Sequence, residues 1–264
     1  MEKWKNVPMA VVTAYLDASG SPATEVVAVG AVVATPDKWQ EFHDRWNDCL
    51  DAFGISALHM KEFAHFRGEF HSWRDDEPKR KRLLNALLWI IQDCVDYTAT
   101  TAVWMPDYDI VDANYALSET TRPYTMGAMG CAGSIVIWAK NSGHNKHDII
   151  WIFEKGDEDQ GDLRKHWDIV YPDARVEPIF CKKVDSYPAS PARRIRAFEA
   201  ADLIAYESRH LNTAIQRLGG SINENAVRRP LLRMRDLPGA DLWGLMERPN
   251  IEQLCSQWNI PVRR

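Results

Sequence analysis

Short apolar runs alternate with longer stretches of helical period along most of this chain. Val11 to Asp17 is rich in β-branched and aromatic residues and ends at Ala18-Ser19-Gly20, and Val26 to Ala34 is a second apolar run with Gly30 inside it. The turn residues Ser19-Gly20-Ser21-Pro22 between them predict an antiparallel pair of strands. Thr35-Pro36-Asp37 offers a hydroxyl N-cap, a first-turn proline and an acid, so a helix is predicted from there to about Phe53, where Gly54 ends it. Residues 55–76 read as irregular and polar. A helix is predicted from Glu77 to Asp93, a strand from Tyr97 to Trp104 ended by Pro106, and helical stretches over 107–118 and 123–141. Asp148 to Phe153 is a near-continuous apolar run, which predicts a strand buried on both faces. Asp157 to Val170 has helical period, Arg175 to Cys181 reads as a strand, and Arg196 to Arg217 reads as a long helix. Beyond Gly219-Gly220 the pattern weakens into a C-terminal extension of short helices and loops. This order predicts an α/β fold: a mixed sheet, with an antiparallel edge and parallel crossovers, flanked by helices.

The long helix carries an anomaly. Phe198, Ala201, Asp202 and Ala205 share one face by their i, i+3, i+4, i+7 spacing, and that face should pack. A buried carboxylate costs several kcal/mol unless it is protonated, paired or bound to a metal. Asp17 and Glu154 stand at the ends of two apolar strands, where ligands of α/β sheets bind. If the strands are parallel neighbours, the two acids emerge side by side, and the helix brings Asp202 to both. Glu199 lies about 60° round the helix from Asp202 and can join them, whereas Glu207 lies about 140° away. Carboxylates so gathered need protons or cations, and hard oxygen ligands favour Mg²⁺ or Mn²⁺. Two such ions about 4 Å apart would activate a water and stabilise a leaving oxygen on a phosphate. Alternatively, each acid simply caps a loop.

Composition narrows the picture. The 264 residues carry a net charge of -5, so any nucleic-acid binding needs a local basic face. Arg193, Arg194 and Arg196 lead into the Asp202 helix, placed to hold a phosphate backbone. Lys79-Arg80-Lys81-Arg82 reads as a solvated helix face. Trp39 and Trp46 have core spacing, while Trp73 is the better candidate for stacking on a base. The five cysteines are widely separated, as expected of a reduced, cytoplasmic protein. The N-terminus reads as no signal peptide, and the longest weakly polar run, Met126 to Ala139, is too short to span a bilayer.

Three segments together resemble a known family. Ala14-Tyr15-Leu16-Asp17-Ala18-Ser19-Gly20 resembles the N-terminal Y-[IL]-D-E-S-G motif of the DUF3800 family. His59-Met60-Lys61-Glu62 is similar to its H-x-x-E segment, and Ala197 to Tyr206 to its closing L-Q-x-A-D-L-I-A helix. The resemblance spans about residues 10–210. It implies a ribonuclease H-like core over about 10–218, a helical extension over 219–264, and one domain in all. It also implies a metal-dependent nuclease, of a kind often found in phage defence, with Asp17, Glu154 and Asp202 as ligands of Mg²⁺ or Mn²⁺. Glu199 would support them, and His59 or Glu62 would orient water or move a proton. Ala18 replaces the family's second acid, and Glu154 stands where aspartate is commoner. A ribonuclease H-like protein that binds without cutting, or a nucleotide phosphohydrolase, is therefore the alternative. The expected partner is nucleic acid, DNA or RNA, with a second copy of the chain or an operon-encoded protein as further partners, and no membrane.

Overall fold

The computed structural model of the chain describes residues 12–155, 160–170, 178–182, 184–185, 193–219, 234, 236–239 and 244–263. Its elements in order are β1 (Val12–Ser19), β2 (Val26–Ala34), α1 (Pro36–Phe53), α2 (Met60–His65), α3 (Glu77–Cys94), β3 (Tyr97–Trp104), α4 (Met105–Asn114), α5 (Leu117–Thr120), α6 (Pro123–Asn141), β4 (Ile149–Glu154), α7 (Gln160–Val170), β5 (Ile179–Cys181), β6 (Val184–Asp185), β7 (Arg193–Arg194), α8 (Arg196–Arg217), β8 (Leu245–Met246) and α9 (Arg248–Gln257). Strands β5-β4-β1-β2-β3-β8 form one sheet. Strand β2 runs antiparallel to β1 and β3, while β1–β4, β4–β5 and β3–β8 are parallel. This is the mixed α/β sheet expected, in an arrangement consistent with a ribonuclease H-like fold.

Alternation along the strands sorts the core into two layers. Ala14, Leu16, Val29, Ala31, Val33, Trp151 and Phe153 point to one face and pack with Ala128, Ala132 and Ile135 of α6 and Trp167 of α7. Tyr15 and Val32 point to the other, against Trp39, Phe42 and Trp46 of α1, Leu87 and Ile91 of α3, and Ala200, Ala201 and Ile204 of α8. The aromatic spacing of α1 is therefore core spacing, as its sequence indicated.

Helix α8 sits unusually close to the sheet, and Gly30 is the reason. A Cβ at Gly30 would stand 2.6 Å from the Ala205 amide nitrogen and 2.7 Å from the Ala201 carbonyl oxygen. Both are backbone atoms of α8 and cannot rotate aside. The small residues of α8 and the missing side chain of β2 thus form one close contact, which places the helix over β1 and β2.

Several expectations need correction. Thr35 makes no side-chain cap; its own amide instead donates to Asp96 Oδ2 at 3.1 Å, and Lys38 pairs with the same carboxylate at 2.6 Å. Residues 55–76 are not an irregular polar loop. They form α2 and a 3-10 helix over Gly68–Trp73, because Met60, Phe63, Phe70 and Trp73 supply enough buried apolar surface to fix them. Strand β4 is buried on one face only: Ile150, Ile152 and Glu154 are half-exposed, since α8 lies over its neighbours β1 and β2. The C-terminal extension contributes a strand as well as a helix, with Leu245 and Met246 adding β8 to the edge at β3. The predicted helix start at 157 and strand start at 175 fall outside the described residues. Among the described residues no helix is long and apolar enough to cross a membrane, and all five cysteines are free thiols.

Because a Cβ there meets only backbone of α8, Gly30→Ala should lower stability by roughly 2 kcal/mol, the scale of an overpacked core. Urea denaturation measures this, and an unchanged midpoint would mean that α8 does not rest on β2 at Gly30.

Candidate carboxylate site

Asp17 lies on the α8 side of the sheet. Its neighbours Leu16 and Ala18 point to the α6 side, so alternation turns Asp17 toward α8, as it does Tyr15. The residue is 2% exposed, and its Oδ1 accepts the Ala18 amide at 2.8 Å. In the parallel β1–β4 ladder Leu16 is opposite Phe153, so Asp17 and Glu154 are the next residues of adjacent strands. The β1–β4 ladder stops just before them, β4 ending at Glu154 while β1 runs on to Ser19 beside β2, and alternation turns both acids to the same face. Glu154 is half-exposed and lies opposite Cys181 of β5.

Helix α8 runs alongside β1 in the same direction. The rings of Tyr15 and Phe198 meet edge-on at 5.5 Å, and further along Arg209 Nε donates to Ser19 Oγ at 3.1 Å. Residues 198, 202, 205 and 209 form one stripe of the helix, so Asp202 faces β1. Asp17 is two residues beyond Tyr15, about 7 Å at ~3.3 Å per residue. Asp202 is four residues beyond Phe198, about 6 Å at ~1.5 Å per residue. The two aspartates therefore stand at the same level, one on the sheet and one on the helix above it.

Asp202 is buried, at 7% exposure, and its Oδ2 accepts the Met60 amide at 3.1 Å. Met60 opens α2, whose preceding residue His59 makes no side-chain cap. Asp202 supplies from a distant element what a local cap would have given, a negative charge against the orphan amides of a helix start. His59 is thereby held next to Asp202, with its Nδ1 buried and without a hydrogen-bond partner. Glu62 goes elsewhere. It is exposed, and its carboxylate lies over the backbone of Gly68.

Glu199 belongs to a different cluster. Its Oε2 accepts from the Trp46 indole and the Leu58 amide, both at 2.9 Å, and its Oε1 pairs with Arg196 at 2.6 Å. Arg196 in turn donates to Asn47 Oδ1 at 2.7 Å and to the Ser56 carbonyl at 2.9 Å. This buried pair ties α1, the 56–58 segment and the first turn of α8 together. Arg196 Nε and Nη1 are thus engaged with protein and not with the carboxylate site. Arg194 is exposed, and the Arg193 side chain lies outside the described residues.

Some residues near these carboxylates gave little sign in the sequence. Tyr15 lines the same face; burial, and then the charge of Cys181, push its phenol above the ordinary range. Arg209 lies against the Tyr206 ring at 5.3 Å and holds Ser19 at the end of β1. Glu207, set aside on helical angle, is wholly buried as well. The i, i+7 spacing of Asp202 and Arg209 was readable, but nothing in the sequence marked that stripe as the one facing β1.

Asp17, Glu154 and Asp202 are hard oxygen donors of the kind that binds Mg²⁺ or Mn²⁺. Their chemistry fits such an ion, but among the described residues no three His, Cys, Asp or Glu side chains converge closely enough to form a ready-made metal cage. No protein-family model and no curated protein matches the chain.

The Glu199 cluster makes a stability prediction. Removing one member of a buried ion pair typically costs ~3–5 kcal/mol. Glu199→Ala should therefore destabilise the fold by about 3 kcal/mol or more, with Glu199→Gln recovering part of it. A loss below about 1 kcal/mol in urea denaturation would show that the cluster does not hold the 56–58 segment in place.

Proposed function

We propose that this protein is a metal-dependent nuclease that hydrolyses phosphodiester bonds in nucleic acid. What supports the reading is the burial of Asp17 on the α8 side of β1 and of Asp202 on the stripe of α8 that faces β1, with Glu154 at the end of the adjoining parallel strand. Buried acids that face each other would oppose each other's ionisation, and a divalent cation would relieve that opposition. Asp17, Glu154 and Asp202 would hold Mg²⁺ or Mn²⁺, which when bound supplies charge stabilisation on the phosphate and an activated water. The Ala18 amide fixes Asp17 and the Met60 amide fixes Asp202, so each carboxylate keeps one oxygen oriented by backbone. His59, beside Met60, would accept or return a proton. Glu199 acts by holding the 56–58 segment and hence the start of α2. The resemblance to the DUF3800 family adds phage defence as the setting.

A second reading has its own observation. The three acids do not converge into a cage, and Asp202 is already engaged by an amide. These facts favour a ribonuclease H-like protein that binds nucleic acid without cutting it.

Cleavage separates the two. With Mg²⁺ or Mn²⁺, the wild-type chain should cut a mixed panel of DNA and RNA, and Asp17→Asn and Asp202→Asn should each lose a hundredfold or more, as loss of a charge-stabilising group commonly costs roughly that factor. Activity that survives both substitutions would remove these residues from catalysis. Turnover of free nucleotides alone would point to a phosphohydrolase.

A further inference from the structure

The 3-10 helix and the start of α3 build a basic surface that the carboxylate site does not use. Phe66 closes α2 with φ 53° and ψ 49°, a left-handed conformation uncommon for a bulky residue. Glycine would adopt it at lower cost, and the ring that stands there instead packs against two guanidiniums. Arg80 lies over the Phe66 ring at 4.4 Å and over Phe63 at 4.9 Å, and Arg74 approaches Phe66 at 5.7 Å. Lys79 covers Trp73 at 4.0 Å. The cluster at 79–82 is thus not a simple solvated face, since Lys79 and Arg80 are half-buried on aromatic rings. Trp73 is 4% exposed, buried under a cation and unable to stack on a base.

Three of the five acids of this stretch have partners of their own. Glu69 accepts the Ser56 amide, Asp76 caps α3 through Lys79, and Glu77 pairs with Lys81. Between Lys61 and Arg82 there are Lys/Arg at 61, 67, 74, 79, 80, 81 and 82 against acids at 62, 69, 75, 76 and 77, which is seven against five in a chain of net charge -5. Arg67 and Arg74 are exposed. Phe66 follows the last turn of α2, six residues after Met60, whose amide donates to Asp202, so one short helix links the aromatic cluster to the carboxylate site.

We infer that Arg74 and Arg80, arrayed over Phe66, form a phosphate platform that holds the backbone of a nucleic-acid strand beside the Asp17–Asp202 site. The inference rests on the nuclease or binding reading above and adds the mode of recognition. The aromatic faces are covered by cations, so the platform reads phosphates and not bases. Binding through it is independent of sequence and strongly dependent on salt.

The test is binding of a labelled oligonucleotide to the full chain in EDTA, titrated with salt, where cleavage plays no part. Arg74→Gln, an exposed change that the fold tolerates, should weaken binding and reduce the slope of log affinity against log salt by about 1. Phe66→Gly keeps every charge and suits the left-handed backbone, yet it should also weaken binding because the guanidiniums lose their support. Homopolymer and mixed sequences should bind alike. Wild-type affinity and slope in both Arg74→Gln and Phe66→Gly would overturn the platform while leaving the carboxylate site standing. Failure of the wild-type chain to bind any nucleic acid would overturn both.

Discussion

The close contact of α8 with the sheet at Gly30 is the constraint on which the rest depends. Without a side chain at Gly30, the Ala201 carbonyl and Ala205 amide come within a Cβ's reach of β2. That approach fixes the height of α8 above β1, and with it the place of every polar group on the stripe that faces β1. Apolar packing on both faces of the sheet sets where the helix lies, and the helix then imposes burial on Asp202.

Two acids one turn apart on α8 are put to different uses. Glu199 is enclosed by Trp46, the Leu58 amide and Arg196, and its charge is spent on holding the chain between α1 and α2. Asp202 uses one oxygen on the Met60 amide and faces β1 at the level of Asp17. The first interaction supports the second, because the 56–58 segment that Glu199 and Arg196 anchor leads directly into α2. The site therefore depends on a structural ion pair that a search for clustered acids would count among its ligands.

Much of the fold was legible because period and punctuation agreed. Val26–Ala34, Tyr97–Trp104, Pro123–Asn141 and Arg196–Arg217 appear with the bounds that their patterns predict. The parallel pairing that sets Glu154 beside Asp17 was readable as a condition and is met by the register. Residues 55–76 were misread because their apolar residues are spaced for two short, differently wound helices, which leaves no single period to detect. The half-open face of β4 was hidden because one strand's hydrophobicity does not say how far a helix on its neighbours extends. The roles of Glu199 and Arg196 were not separable from that of Asp202, since Trp46 and Ser56 reach them only through tertiary packing.

The central claim is that Asp17 and Asp202 form one cation-binding site between β1 and α8. Calorimetric titration with Mn²⁺ tests it most directly. The account predicts saturable binding at millimolar metal or below in the wild-type chain, lost in Asp17→Asn and in Asp202→Asn alike, with Glu199→Gln still binding. No binding to the folded wild-type chain, or binding unchanged in both aspartate variants, would contradict it.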